Sequence, residues 1–392
     1  MHTPRHALLT ALLLGGALSA SPGQAAEIVE KRITTKHHDL RLERIATGLE
    51  NPWAMAELPD GRYLVTERSG SIALIDTDGE VVRLDGVPEV SNHGQGGLLD
   101  IVLHPDYGNG GSSSDSTGAT GEHDWIYFTW SQAGDGGTAS TLSRARLEGE
   151  RLVDVKEVFV QDRFSQPGRH YGSRLAWLDD GTLLMSIGDR GVTPERAQDG
   201  GDHAGSFLRL TATGDVPDDN PFVDDDDTLD ALYSLGNRNP QGLTVTYDGE
   251  IWSTEHGPRT GDELNRIEPG VNYGWPEVSR GNDYATNQPI GVDSAPGMRD
   301  PVHVFEGRFA PSGLAEVTGD AFPAWQGDLL AGGLSSEKLV RLSLDGSEVS
   351  ERELILEGEI GRIRDVRLGH DGAIYLLNDE ADGSLFRLTP AD

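Results

Sequence analysis

One phrase recurs along the chain and limits its fold more than any other feature: an apolar stretch, an Asp-Gly turn, then a second apolar or aromatic run. It occurs around Asp60-Gly61, between Trp53 and Val65, and around Asp180-Gly181, between Leu175 and Met185. It returns around Asp248-Gly249, between Leu243 and Trp252, and around Asp371-Gly372, between Val366 and Tyr375. Asp-Gly between alternating apolar runs marks a hairpin, because glycine accepts the positive φ that a tight turn imposes. Two degenerate copies fill the gaps, Leu99–Leu103 resumed at Asp124–Phe128, and Leu314–Val317 resumed at Gly327–Leu330. Six such units, with little helical periodicity between them, predict an all-β fold: a six-bladed β-propeller of four-stranded antiparallel blades. A β-sandwich or a pair of small barrels is the competing arrangement, and six-fold recurrence of one phrase favours the propeller.

The first residues read as a secretory signal. Arg5 precedes an apolar run from Ala7 to Leu18, and small residues follow at Gly23 and Ala25. The run is shorter than the roughly 20 residues that cross a bilayer core. We therefore expect a signal peptide over 1–25, one propeller domain over 26–392, and a periplasmic or secreted protein that is not membrane-embedded. Residues 107–123 are rich in Gly and Ser and poor in apolar side chains, the composition of a flexible surface loop.

There is no cysteine, which removes disulfides, thiolate metal sites and cysteine nucleophiles from consideration. The net charge of −33, from 65 acidic and 32 basic residues, repels nucleic acid and anionic membranes. Such acidity also suits a protein adapted to high salt. The acidic run Asp224–Asp227 could ligate calcium, but a solvated loop accounts for it as well.

Five segments carry more polar chemistry than turns require. Asn92–Gly97 offers Gln95 among glycines that let a ligand approach the backbone. Arg169–Arg174 places His170 at the entrance of the third blade, as either a structural hydrogen-bonder or a catalytic base. Leu235–Gly242 contains Arg238, a fixed fork of donors for a carboxylate or carbonyl, beside Asn239. Glu255–Pro258, Gly261–Asn265 and Asn272–Pro276 collect the hard oxygen donors that calcium prefers, without the spacing of an EF-hand. Gly361–Val366 opens the last blade with Arg362 and Arg364, which strand alternation puts on one face. Two like charges there require an anion between them, and in so acidic a chain they suggest an anionic ligand.

Taken together, Gly94-Gln95-Gly96-Gly97-Leu98-Leu99-Asp100, Gly236–Gly242, Gly270–Pro276 and Arg362-Ile363-Arg364-Asp365 resemble the soluble pyrroloquinoline-quinone (PQQ)-dependent glucose and sorbosone dehydrogenases. The likeness runs from about Leu49 to Leu388 and is greatest to the periplasmic aldose sugar dehydrogenases. It implies oxidation of aldose sugars to lactones, with His170 as the general base at the anomeric hydroxyl and hydride passing to the quinone. An ordinary histidine pKa of about 6.5 suits that proton transfer. The resemblance implies PQQ contacts at Gln95, Arg238, Asn239, Arg362, Ile363 and Arg364, with Tyr284 as a further pocket residue. It implies a calcium on the backbone of Gly257 and Pro258, and a second, structural calcium at Glu263 and Tyr273.

One departure stands out. The family carries a cofactor-binding lysine where this chain has Ser335, and Lys338 lies three residues further on. Either Lys338 reaches in or the pocket has one cation fewer, while the backbone of Gly333, Leu334 and Ser335 lines it. The resemblance also implies an electron acceptor as partner and a monomer or dimer. A calcium-dependent lactonase on the same fold would need calcium but neither the quinone nor the Arg362/Arg364 pair. A non-catalytic sugar-binding propeller would need no His170.

Overall fold

A computed structural model describes residues 31–109 and 121–391. The expected signal peptide lies outside the described residues, as does most of the Gly/Ser-rich stretch. The described chain forms six antiparallel sheets and a single 3-10 turn, Pro194–Gln198. Five sheets have four strands in sequence order, beginning with Pro52–Glu57, Leu98–Leu103, Leu175–Trp177, Pro240–Val245 and Pro311–Glu316. Each of these first strands lies innermost, and the six Asp-Gly or equivalent units fall one to a blade.

The sixth sheet closes the ring. Its inner strands, Ile363–Leu368, Ile374–Asn378 and Gly383–Pro390, come from the C-terminal end of the chain. The N-terminal strand Asp39–Leu49 pairs antiparallel with Gly383–Pro390, and Lys31–Thr34 adds a fifth strand outside it. Both ends of the propeller are thus held by one continuous ladder of backbone hydrogen bonds. Among the described residues no helix is long and apolar enough to cross a membrane.

The turns behave as the phrase predicts. Gly61, Gly181, Gly249 and Gly372 have φ of 84°, 79°, 84° and 77°, where any side chain would be strained. Strand alternation sends one face of each sheet into a blade interface. The result is six apolar clusters, one between each pair of neighbouring blades. Burial between sheets supplies the cohesion that the absent disulfides cannot.

The axis is charged where the blades converge. Arg174 Nη1 lies 2.7 Å from Asp365 Oδ1 and 3.4 Å from Asp100 Oδ1. Arg367 bridges the same two carboxylates, at 2.6 Å from Asp100 and 3.0 Å from Asp365. Asp100 also accepts the Leu175 backbone N–H and Asp365 that of Met55, so the network ties the inner strands of four blades. Arg174 lies over the Trp53 ring at 4.1 Å. Asp100 and Asp365, which end two of the distinctive motifs, therefore plug the channel. They are fully desolvated, and only complete mutual pairing makes that tolerable.

Candidate functional site

At one end of the channel a cavity of about 240 Å³ opens, lined by Gln95, Asn239, Gly257, Pro258, Tyr284, Leu334, Ser335, Arg362 and Arg364 among others. These nine residues come from segments that the sequence reading singled out, brought together from four blades. Arg238, Glu263 and Tyr273 line a smaller adjoining pocket that shares Gly257 and His256 with the first. Gly333 and Ile363 are not at either wall. Ile363 is fully buried between the last two blades, and Gly333 is packed against Phe309 and Ser336.

His170 stands beside the cavity rather than in its wall, which its neighbours Tyr171 and Gly172 form. It keeps 8% of its surface exposed. Its backbone has φ 50°, a conformation rare for a residue with a side chain, and is held there from several directions. Gln95 Oε1 accepts its N–H at 2.8 Å, and Arg190 donates to its carbonyl at 3.1 Å. Asn239 accepts the Gly172 N–H at 3.2 Å and Gln241 donates to the Gly172 carbonyl at 3.0 Å. Gln95 and Asn239 thus fix the histidine loop as well as lining the cavity.

The ring of His170 is oriented by a residue that the sequence reading did not select. Nδ1 lies 2.7 Å from Asp189 Oδ1. Asp189 accepts two further bonds, from Trp275 Nε1 at 2.7 Å and from the Gly191 N–H at 2.7 Å. Burial opposes the charge on Asp189, but the His170 bond, Arg238 and Trp275 outweigh it and hold the carboxyl below its ordinary value. An ionised Asp189 requires the proton on Nδ1 and leaves Nε2 bare. The expectation of an ordinary histidine pKa needs correction. Burial lowers it first, Arg238 lowers it further, and Asp189 opposes both, with a net shift downward. The imidazole is therefore a neutral base at neutral pH.

The arginine pair also differs from its reading. Arg362 and Arg364 do share an anion, but the fold supplies it. Asp379 Oδ2 lies 3.0 Å from Arg362 Nη2 and 2.7 Å from Arg364 Nη2. Burial opposes ionisation of Asp379, but Arg364 and then Arg362 prevail and hold it far below the usual carboxylate range. Two arginines against one carboxylate leave a positive remainder at the wall. Lys338 does not reach in; its Nζ lies 3.0 Å from Glu357 on the neighbouring strand of the fifth blade. Arg68, Arg259 and Arg308 also line the cavity. Each stands alone in a loop, which gives sequence reasoning nothing to select it by.

The smaller pocket is the acidic counterpart. Glu255 and Glu263 face one another in register on adjacent strands, Ile251–Glu255 and Glu263–Ile267. Burial pushes the Glu255 carboxyl up to about 7; burial and then Glu255 push Glu263 up to about 8. Glu255 accepts bonds from the Arg238 N–H and from Asn237 Nδ2, the latter at 2.7 Å. Asn237 Oδ1 is buried without a hydrogen-bond partner. The Tyr273 hydroxyl donates to the Arg266 carbonyl at 2.6 Å and accepts the Glu268 N–H at 2.8 Å, which leaves its backbone carbonyl as the group it would offer a cation. At Gly257 a Cβ would meet the carbonyls of Gly261 and Thr260 at 2.3 Å, which leaves room only for glycine. His256 donates Nε2–H to the Pro311 carbonyl at 2.6 Å, and burial with Arg238 pushes its pKa down to about 3.

Known proteins resemble this chain over most of its length. The profile of the family described as Glucose / Sorbosone dehydrogenase matches residues 49–387. The chain is 34% identical over 398 residues to aldose sugar dehydrogenase YliI of Escherichia coli, covering 100% of both. The apo-form structure of the soluble aldose sugar dehydrogenase from Escherichia coli superposes with a TM-score of 0.83 at 34% identity, over 90% of this chain and 100% of that one. The PQQ-bound structure of an aldose sugar dehydrogenase from Streptomyces coelicolor does so with a TM-score of 0.70 at 29% identity, over 93% and 99%. The chain is thus an oxidoreductase that belongs to the glucose/sorbosone dehydrogenase family.

Proposed function

We propose that this protein oxidises aldose sugars at the anomeric carbon, using PQQ and calcium, with His170 as the base. The observation that carries this reading is the convergence of two arrangements. A histidine kept neutral and oriented by Asp189 stands beside a cavity whose wall is cationic in a chain of net charge −33.

The residues fit both groups. A planar cofactor bearing three carboxylates suits a wall of arginines whose one shared counterion, Asp379, is outnumbered. Calcium suits the paired carboxylates Glu255 and Glu263 and the unpartnered Asn237 Oδ1, all hard oxygen donors in a desolvated pocket. Gly257 and Pro258, at the cavity wall, would offer backbone carbonyls to a second ion. When bound, the quinone would supply a hydride acceptor and calcium would supply Lewis acidity, so that the sugar is oxidised to a lactone.

The protein's own residues do the remainder. His170 Nε2 takes the proton of the anomeric hydroxyl, and Asp189 stabilises the imidazolium that results. Arg238, in the adjoining pocket and close enough to His170 to act on it electrostatically, would stabilise negative charge growing beside the base. Arg362 and Arg364 hold anionic groups in place while Asp379 fixes the two guanidiniums. Dye reduction tests the reading. Apo-protein reconstituted with PQQ and calcium should reduce an artificial acceptor when aldoses are added, and should not open lactones. Lactone hydrolysis with calcium alone, and no dye reduction with the quinone, would replace it with the hydrolase reading.

A further inference from the structure

We propose that Arg308 is an additional cofactor anchor, whose guanidinium receives a carboxylate of the bound quinone; the inference rests on the functional reading above. Arg308 is exposed at the rim of the main cavity, on the same wall as Ser335. Its side chain takes part in no ion pair or hydrogen bond among the described residues.

The backbone that carries it is fixed. Ser335 Oγ donates to the Arg308 carbonyl at 3.2 Å, Ser336 Oγ to the Phe309 carbonyl at 3.0 Å, and the Leu334 N–H to the Ala310 carbonyl at 2.9 Å. The Phe309 ring stacks on Phe305 with centroids 4.4 Å apart and planes at 5°. Arg308 is therefore a free cation on a rigid mount, which limits the entropy lost when it binds a ligand.

The other cations around the cavity are committed. Arg362 and Arg364 share Asp379. Arg68 donates to the Gly94 and Gly96 carbonyls at 2.7 and 3.4 Å, and Arg259 to the Tyr284 carbonyl at 3.2 Å. Lys338 is held by Glu357 on the blade. Acidic residues outnumber basic ones twofold in this chain, yet among the described residues none pairs with Arg308. A planar guanidinium fork matches a carboxylate in two parallel bonds, and a carboxylate-bearing ligand in the cavity meets that fork at the rim. Ser335, which ties down the Arg308 backbone, is the neighbouring wall position from which a longer side chain could deliver the same charge.

The test is equilibrium binding of PQQ to calcium-loaded apo-protein, followed by quenching of tryptophan fluorescence at low and high salt. We expect Arg308→Ala to weaken binding by about three- to tenfold at low salt, between an exposed ion pair and a fully charge-assisted bond. The salt dependence should become shallower, and adding Ser335→Lys to Arg308→Ala should restore affinity. The KM for the sugar at saturating quinone should not move. Equal affinity of wild type and Arg308→Ala overturns this proposal alone, as does a variant that changes only the KM for the sugar. Failure of the wild type to bind the quinone overturns the functional reading and this proposal with it.

Discussion

His170 and Asp189 form a buried pair, with Nδ1 2.7 Å from Oδ1, on a loop and a turn that are not adjacent in the chain. The pair fixes which nitrogen is free, because Asp189 already accepts from Trp275 and Gly191. An amide at 189 cannot reproduce that. Its NH2 must face either Trp275 Nε1–H or the side shared by His170 and Gly191, so a donor meets a donor or the imidazole turns to the wrong tautomer. Asp189→Asn should lower kcat by about a hundredfold, with little change in PQQ affinity. Steady-state kinetics beside cofactor titration would check this; unchanged kcat would reduce Asp189 to a structural role.

The pH profile follows from the downward shift of the His170 pKa by burial and Arg238. A folded pKa below 6.5 keeps the base form to lower pH than an ordinary imidazole allows. We expect kcat/KM to stay level from pH 8 down through 6.5 and to fall only below that. The linkage has the same sign. The unfolded chain takes up this proton first, so the stability associated with a neutral His170 is present above about pH 6.5 and lost as the pH falls. A pH–rate profile with its acid limb at or above 6.5 would contradict the assignment.

Calcium should stabilise the fold through Glu255 and Glu263. A cation bound only by the native state adds about 2.7 kcal/mol at a hundredfold excess over its Kd. Thermal melts should show a calcium-dependent rise in Tm, and Glu263→Gln should remove most of it while leaving the calcium-free Tm equal or higher. An identical calcium response in the variant would place the ion elsewhere.

The axial network makes a sharper stability prediction. Removing the charge of Asp365 leaves the buried Arg174 and Arg367 to share the single carboxylate of Asp100. Asp365→Asn should cost about 3–5 kcal/mol in denaturant unfolding, whereas Asp379→Asn at the cavity wall should cost less. Near-equal losses would show that the axis is no more demanding than the wall.

These relationships also mark how far the sequence could be read. Blade number and turn positions were legible, because Asp-Gly with positive φ and two-residue alternation are local properties. Closure of the last blade by Asp39–Leu49 was not, since strand pairing across the whole chain leaves no local signature. The cavity segments stood out by density of polar residues. Asp189 did not, because an aspartate after a glycine in a turn resembles any other turn. The Arg362/Arg364 alternation correctly called for an anion, but only the folded hairpin shows that Asp379 provides it. Arg308 did not stand out either, because the sequence sets it two residues from Glu306, and only the folded chain shows that Glu306 pairs with Arg352 instead.

The central claim is that His170 removes the sugar's proton while the quinone is reduced. Mixing reconstituted protein with an aldose in the absence of oxygen, and following the absorbance of the bound quinone, tests this within one turnover. The wild type should bleach the quinone and yield one lactone per cofactor, and His170→Ala should hold the quinone but leave it oxidised. No bleaching in the wild type, or bleaching at the wild-type rate in His170→Ala, would contradict the account.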